Sequence, residues 1–330
     1  MHGRLFSLLD QGVPSYFVLL LVGFTFATVI GALTAKRIGQ DPDVFVDLGL
    51  AMLIAGVAGA RILHVFADGF FWDYVHLCTN PGAVNLQLSH GECMNPEYNG
   101  VWNAAQGICV AKTTDCFAWA KFWNGGLTYY GGFIGATAAA YYLLTHDRFP
   151  FWKGADLAGM TVPIGLGFGR MGCLLAGCCF GSVAGHPFGL VFPADSPASE
   201  WQNKHGLLAS KFVASLPVYP TQIFESLASL SIAAFCILYL HGKKRYDGEV
   251  FLGFIGLYAI ARFLIEFVRS DDRGGALGLS TSQWISIGLA ALAYAVHRRA
   301  LSRLAQPKGA GGAGVGGAST SASPAGAHAG

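Results

Sequence analysis

Seven long apolar runs recur along the 330-residue chain and limit its possible folds more than any other feature. A bilayer core takes about 20 apolar residues of helix, so each run is long enough to span it. Only 12% of the residues are charged, against about 25% in soluble domains, which is too few for a water-facing surface. The sequence therefore predicts an all-α integral membrane protein, a seven-transmembrane-helix bundle with spans near 15–35, 45–66, 125–145, 155–178, 220–241, 248–268 and 281–299.

Basic residues are unevenly distributed between the two sides of this predicted bundle. One side has short connections containing Lys36, Arg37, Arg148, Lys153, Lys243, Lys244, Arg245, Arg298, Arg299, Arg303 and Lys308. Because short cytoplasmic loops collect Lys and Arg, the bias predicts an N-terminus outside and a C-terminus in the cytoplasm. No basic run suggests a nucleic-acid partner, and the formal net charge of +2 does not bear on it, so we expect none.

Two longer segments, about 67–124 and 179–219, fall on the predicted outer side. An oxidising exterior favours disulfides, and four cysteines allow three pairings, so we expect two bridges with the pairing open and free or metal-bound thiols as the alternative. The candidates are Cys78, Cys93, Cys109 and Cys116. We expect residues 1–304 to form the membrane domain and the Gly/Ala/Ser-rich residues 305–330 to be a disordered cytoplasmic tail.

Ionisable residues occur inside or at the edges of the predicted spans, where they are costly and mark functional sites by default. Arg262 and Glu266 are four residues apart, as an ion pair on one helix face requires, and Arg269 lies a turn further on. The alternative is that these charges only hold helices together. Three arginines on three different spans (Arg61, Arg170 and Arg262) exceed what Glu225 and Glu266 neutralise, which indicates an anionic ligand such as a phospholipid headgroup.

Polar residues also open two of the predicted spans. In "YPTQIFES" (219–226), Thr221 is a candidate helix cap, and Gln222 points with Glu225 into the bundle. In "STSQWIS" (280–286), Ser280 or Ser282 is a candidate cap.

Five stretches resemble, in order, motifs of the bacterial prolipoprotein diacylglyceryl transferases, and the resemblance extends over nearly all of residues 14–300. The segment 36–66 ends in the G-A-R motif at Arg61, and "WNGGLTYYGGFIGA" (123–136) resembles the glycine-rich third helix. "PIGLGFGRMGCLLAGCCFG" (163–181) resembles the signature G-x-G-R-x-G-N-x-x-N-x-E-x-x-G. "YPTQIFES" resembles H-P-S-Q-L-Y-E, and "ARFLIEFVRSDD" (261–272) resembles the R-x-x-x-E-x-x-R segment.

This resemblance implies a reaction in the bacterial inner membrane. The diacylglyceryl group of phosphatidylglycerol would pass to the lipobox cysteine thiol of a prolipoprotein, with no metal and no other cofactor. Arg170 and Arg262 would hold the phosphate, Glu266 would orient Arg262, and Gly181 would allow close backbone approach. The implied catalytic residues are Arg170, Arg262, Tyr130 and Cys178, and the implied substrate-binding residues are Arg61, Cys173, Gly181, Gln222, Glu225, Glu266 and Arg269.

Several polar positions differ from the family pattern. Tyrosines stand where the family has histidines, at Tyr130 and Tyr219, and Ala176 replaces an asparagine. Cys173 replaces another asparagine and Cys178 replaces a glutamate. Two alternatives therefore stay open. One is a transferase of the same fold with a different acceptor, and the other is a non-catalytic lipid-binding or thiol-redox membrane protein.

Cys173, Cys178 and Cys179 allow three interpretations. Cys178 near Arg170 is placed to act as a reactive thiol or as a thiolate in place of a carboxylate. A metal or redox site is a second interpretation, although C-x4-C-C matches none of the usual zinc spacings. Cys173 and Cys178 lie about 140° apart on an ideal helix, so a shared site requires a break in it. The third interpretation is that the three are small apolar fillers of a tight helix junction.

Overall fold

The computed structural model describes residues 4–8, 11–86, 88, 90–94, 99–122, 126–185, 189–269 and 274–305. Within these residues the chain is mostly helical. The helices of eight or more residues are α1 Ser15–Arg37, α2 Pro42–Ala67, α3 Phe71–Thr79, α4 Tyr129–His146, α5 Phe151–Ala176, α6 Pro197–Lys204, α7 Thr221–Lys243, α8 Glu249–Glu266 and α9 Thr281–Ala305. Three antiparallel strand pairs join them: β1 Arg4–Leu8 with β2 Gln11–Pro14, β3 Gly100–Asn103 with β4 Ile108–Ala111, and β5 Gly275–Ala276 with β6 Leu279–Ser280.

The seven longest helices lie where the apolar runs predict them. Four of them (α1, α2, α5 and α7) are long and apolar enough to cross a membrane, so the number of seven spans stays a prediction. The prediction of seven helices missed α3 and α6, which lie inside the two segments expected to be loops. The tail predicted to be disordered, 305–330, begins one residue too early, because Ala305 is the last residue of α9. Its residues 306–330 and the motif residues 123–125 and 270–272 lie outside the described residues.

Helix α5 is the centre of the bundle and packs against α1, α7 and α8, while α2 packs against α4 and α9 against α8. The contact between α2 and α4 is close because glycines meet there. A Cβ atom on Gly59 would come within 2.4 Å of the Gly131 carbonyl oxygen. The glycines of α2 and α4 therefore allow a tight contact between these two helices.

Asp156 of α5, 2% exposed, ties α5 to the beginning of α8 at the predicted cytoplasmic end. Its Oδ1 accepts hydrogen bonds from the backbone nitrogens of Val250 (2.9 Å) and Phe251 (3.2 Å), which belong to the first turn of α8. Its Oδ2 lies 2.9 Å from Lys244 Nζ. Asp156 therefore satisfies two helix-end donors that have no partner within α8. The largest apolar core, including Leu157, surrounds this end.

Two disulfides, Cys78–Cys116 and Cys93–Cys109, hold the segment between α2 and α4. The prediction of two bridges is confirmed, and the structure supplies the pairing that the sequence left open. The second bridge lies within the loop closed by the first, and it links the β3–β4 hairpin to the helical turn His90–Cys93. The outer bridge links α3 to the stretch before Ala118–Ala120.

Candidate active site

Helix α5 ends at Ala176 in a turn that reverses the chain. Gly177 caps the helix in the left-handed conformation at φ 73°, and its N–H donates to the carbonyls of the last turn. Cys179 also has positive φ, 63°, which is uncommon for a residue with a side chain. This is the helix break that a shared cysteine site requires. The Sγ atoms of Cys173, Cys178 and Cys179 all lie within 4.8 Å of one another.

Gly181 lies where three chain segments cross. Its N–H donates to the Tyr219 carbonyl at 2.8 Å, and it forms a backbone bridge with Arg269. A Cβ atom here would stand 2.4 Å from the Val268 carbonyl oxygen. Only glycine fits this crossing, which joins the turn after α5 to the beginning of α7 and the end of α8.

The first turn of α7 holds in place the cysteine turn, by which we mean Cys173, Cys178 and Cys179. Thr221 Oγ1 donates to the Cys179 carbonyl at 2.8 Å, and Gln222 Nε2 donates to the Cys178 carbonyl at 2.7 Å. The prediction that Thr221 caps α7 is wrong. Pro220 occupies the cap position, and no side chain caps this helix. The Thr221 hydroxyl donates instead to the Cys179 carbonyl, which has no helical partner because the chain leaves the helix at this left-handed turn.

Glu225 of α7, 3% exposed, contacts three arginines from two other elements. Its Oε2 pairs with Arg170 Nε of α5. Its Oε1 lies 3.1 Å from Arg262 Nη1 of α8 and 3.2 Å from Arg269 Nη1, just beyond the end of α8. One buried carboxylate therefore fixes the positions of guanidinium groups that are up to 99 residues apart in sequence.

Glu266 makes the second carboxylate contact in this region. Arg262 Nη2 lies 2.6 Å from Glu266 Oε2, which confirms the ion pair predicted from their spacing of four residues. Ser280 Oγ donates to Glu266 Oε1 at 2.8 Å. Ser280 and Gln283 also form a reciprocal pair, in which each backbone N–H donates to the other's side chain. Ser280 is therefore the helix cap of the two serine candidates, and it links α9 to Glu266.

We call Arg170, Arg262, Arg269, Glu225 and Glu266 the arginine cluster. With all five side chains ionised, three guanidiniums and two carboxylates leave one net positive charge. Gln222, 1% exposed, adds an acceptor here, because its buried Oε1 has no hydrogen-bond partner among the described residues. A partly enclosed positive group beside an unused acceptor is suited to an anion that also carries a hydroxyl or another donor.

Arg61 lies apart from the arginine cluster. It is 7% exposed, and its guanidinium donates to three backbone carbonyls, those of Ala118 (2.8 Å), Trp119 (2.6 Å) and Gly126 (2.9 Å). Tyr74 covers it at 5.1 Å from the ring centroid. Arg61 therefore fastens the disulfide-linked segment to α2. It also lines an apolar cavity of about 980 Å³ between α1, α2 and that segment.

The structure brings together most of the residues that the sequence singles out. The arginine cluster, Gln222, Gly181 and the cysteine turn occupy one end of α5, α7 and α8. Tyr130, at the beginning of α4, is 69% exposed and is not part of this group. For Arg61 and Tyr130, a part in substrate binding or catalysis stays a prediction. Sequence reasoning missed the contact of Ser280 with Glu266, because no spacing rule relates residues on two different helices.

The fold and this site define a class: a helical membrane protein with a partly buried cationic cluster at one end of its bundle. Comparisons with known proteins give the family. The model of the family described as "Prolipoprotein diacylglyceryl transferase" matches residues 4–298, so the chain belongs to the prolipoprotein diacylglyceryl transferase family.

Two relatives illustrate the similarity. The phosphatidylglycerol–prolipoprotein diacylglyceryl transferase 2 of Clostridium perfringens is 28% identical over 288 residues, which cover 86% of this chain and 89% of the relative. The phosphatidylglycerol–prolipoprotein diacylglyceryl transferase of Burkholderia multivorans is 34% identical over 270 residues, 76% of this chain and 88% of the relative. The resemblance inferred from the five sequence motifs is confirmed.

Proposed function

We propose that this chain transfers the diacylglyceryl group of phosphatidylglycerol to the lipobox cysteine thiol of a prolipoprotein. The observation that carries the proposal is the arginine cluster, whose single net positive charge matches the single negative charge of a phosphodiester headgroup. The two relatives are phosphatidylglycerol–prolipoprotein diacylglyceryl transferases by name, which supports the same donor and the same class of acceptor. The reaction takes place at the outer face of a bacterial inner membrane, in a seven-span bundle with its C-terminus in the cytoplasm.

The reaction joins sulfur to carbon and releases a phosphate. The acceptor sulfur, as a thiolate, attacks the glyceryl carbon that bears the phosphate. The carbon–oxygen bond breaks, and glycerol phosphate leaves with the electron pair. Negative charge grows on the leaving phosphate, so guanidiniums already in position stabilise the transition state without further reorganisation. Arg170 and Arg262 are the phosphate ligands in this proposal.

The remaining residues of the cluster hold these ligands in place. Glu225 contacts all three arginines, and Glu266 orients Arg262 through an ion pair of 2.6 Å. Arg269 contributes charge close to the Gly181 crossing. Gln222 Oε1 accepts a hydrogen bond from a headgroup hydroxyl. Cys178 stands beside this site and Tyr130 at the beginning of α4, and we assign them to thiol activation and to hydrogen bonding of substrate.

The test is a reconstituted reaction. Full-length protein in lipid nanodiscs receives phosphatidylglycerol with a deuterated diacylglyceryl group and a lipobox peptide, and mass spectrometry follows both. We expect the peptide to gain the labelled diacylglyceryl group. The glycerol phosphate that is released should carry no label. Arg262→Gln should lower the rate about 10²–10³-fold, the usual loss for one transition-state donor. Arg303→Gln, an exposed arginine on α9, is the matched control and should leave the rate unchanged.

Two results would contradict the proposal. An unmodified peptide with intact phosphatidylglycerol would remove the transferase activity and favour a lipid-binding protein. Consumption of phosphatidylglycerol without modification of the peptide would instead assign a different acceptor. The replacements at Cys173 and Cys178 favour this second candidate function, since they change two polar positions of the family pattern.

A further inference from the structure

The cysteine turn (Cys173, Cys178 and Cys179) has a geometry that proposed lipid transfer does not require. Its three sulfurs converge to within 4.8 Å of one another, although a continuous helix would direct Cys173 and Cys178 about 140° apart. Left-handed backbone at Gly177 and at Cys179 makes the convergence possible. A non-glycine residue in this conformation costs about 1 kcal/mol or more, so surrounding contacts must hold it there. Thr221 and Gln222 supply those contacts through the Cys178 and Cys179 carbonyls.

Cys236 is an example, in the same chain, of a cysteine that fills apolar space. It is fully buried in α7 and belongs to the apolar core, where Leu157, Met160 and Phe254 are among its neighbours in the cluster. Cys178 and Cys179, in contrast, are only partly buried, and their sulfurs face other sulfurs. The cysteine turn therefore does not fit the interpretation of three small apolar fillers.

We infer that Cys173, Cys178 and Cys179 form a binding site for one soft metal ion, such as Zn²⁺ or Cu⁺. Thiolates are the ligands that these ions prefer. On a tetrahedral zinc with Zn–S bonds of about 2.3 Å, the sulfurs stand about 3.8 Å apart, so inward movements of about 1 Å or less close the site. Among the described residues only these three side chains form such a group, which leaves the fourth position open. An open position accepts water or a substrate thiol.

A metal at this turn changes the charge of the neighbouring arginine cluster. Arg170 interacts electrostatically with Cys173 and Cys179, and Arg269 interacts with Cys179, so the two groups share one environment. Three thiolates with one divalent ion bring one net negative charge. That charge cancels the single positive charge of the cluster, and a monovalent ion reverses it. The metal-loaded state therefore binds a phosphate headgroup less tightly. This consequence rests on the proposed function, whereas metal binding itself does not.

Cadmium is the spectroscopic probe for the site, because Cd²⁺ bound to thiolates absorbs in the ultraviolet. Full-length protein is purified without reductant, so that both disulfides stay intact, and its thiols are counted after denaturation. We expect four free thiols, those of the cysteine turn and Cys236. Two free thiols would mean that the cysteine turn holds a disulfide, and that result would overturn the site.

The titration then uses native protein in nanodiscs. We expect one Cd²⁺ per chain with a thiolate charge-transfer band, and Zn²⁺ should displace it. Cys173→Ser and Cys179→Ser should each weaken binding about tenfold or more, since even outer contacts of a metal site are worth 10–100-fold. Cys236→Ser is the matched control and should keep the band. An absent band, a band kept in Cys179→Ser, or a band lost in Cys236→Ser would each overturn the inference.

The charge effect has its own measurement, binding of labelled phosphatidylglycerol with no acceptor present. We expect Zn²⁺ to weaken lipid binding in the native protein and to have no effect in Cys179→Ser. Equal lipid binding with and without Zn²⁺, in a protein that shows the cadmium band, would overturn the charge effect alone. If the native protein shows the cadmium band but no transfer activity, that result would count against the proposed function and leave the metal site supported.

Discussion

Two buried carboxylates at opposite ends of the bundle have different surroundings. Asp156 is 2% exposed and Glu225 is 3% exposed, so both need charged or hydrogen-bonding partners. Asp156 obtains one lysine and two backbone donors from the first turn of α8. Glu225 obtains three arginines. Burial alone therefore does not distinguish a structural carboxylate from one in a binding site.

The charge balance distinguishes them. At the Asp156 end, Lys244 also pairs with Asp247 at 2.7 Å, so the local carboxylates outnumber the ammonium group. The partial positive charge of the α8 N-terminus offsets part of that difference. At the Glu225 end, guanidiniums outnumber carboxylates by one. The first arrangement has no excess of cations, whereas the second has one excess positive charge, which the proposed function assigns to binding of a phosphate from outside the chain.

The largest expected effect belongs to the structural carboxylate. Asp156→Ala should lower the free energy of unfolding by about 3–5 kcal/mol, because it removes the buried carboxylate partner of Lys244 and leaves two helix-end donors without their acceptor. Asp156→Asn, which keeps an acceptor oxygen, should lose less. The measurement is a denaturant titration of purified protein in micelles. The control, Asp247→Ala, removes a more exposed partner of the same lysine and should stay within about 0.5 kcal/mol of the native protein. Equal losses in Asp156→Ala and Asp247→Ala would refute the structural role of Asp156.

Glu225→Gln tests the other end of the comparison. It should lower the free energy of unfolding by about 2–3 kcal/mol, since three guanidiniums then share the single carboxylate Glu266. Glycerol phosphate should restore most of that loss, because a ligand at 100 times its Kd stabilises by about 2.7 kcal/mol. Asp156→Asn should show no such rescue under the same titration. If both variants respond equally to glycerol phosphate, the two ends do not differ in the way that their charges indicate.

A smaller effect is expected at the serine that connects α9 to the site. Ser280→Ala removes a helix cap and the hydroxyl that donates to Glu266, so we expect a loss of about 1 kcal/mol and a modest decrease in transfer rate. Ser282→Ala removes only a bond of 3.4 Å to Arg262 and is the matched comparison, with a loss of a few tenths of a kcal/mol. Denaturant titration and the reconstituted reaction measure both. A larger loss in Ser282→Ala would reverse the assignment of the cap.

The sequence predicts the long helices well because each depends on a local property. An apolar run of spanning length is visible without knowledge of its neighbours, and the Arg262–Glu266 pair follows from a spacing within one helix. The short helix α6 also has a local signal in the sequence. Ser196 precedes Pro197, and Ser196 and Ser199 form a reciprocal capping box.

The centre of the site depends on relations that no single segment contains. Glu225 meets Arg170 and Arg262 only because α5, α7 and α8 have particular rotations and heights relative to one another. Thr221 is a reasonable cap by its position in the sequence, but a carbonyl from the cysteine turn takes its hydroxyl. When the hydrogen-bond partner of a side chain lies on another segment, the sequence of its own segment does not reveal that partner.

The smallest expected effect is a pH dependence of stability at the Asp156 end, caused by Lys244. Burial by itself lowers the pKa of Lys244, but hydrogen bonds to Asp247 and Asp156 outweigh it and raise the pKa above its ordinary value of 10.5. A raised pKa means that the lysine stabilises the fold fully below about pH 10.5 and loses this contribution as the pH rises through the folded-state value. An arginine side chain is not deprotonated in proteins, so an arginine at position 244 would keep its charge over this range. Unfolding titrations at increasing pH should therefore show a decline in the native protein that Lys244→Arg lacks, and parallel declines in the two proteins would show that Lys244 is not responsible.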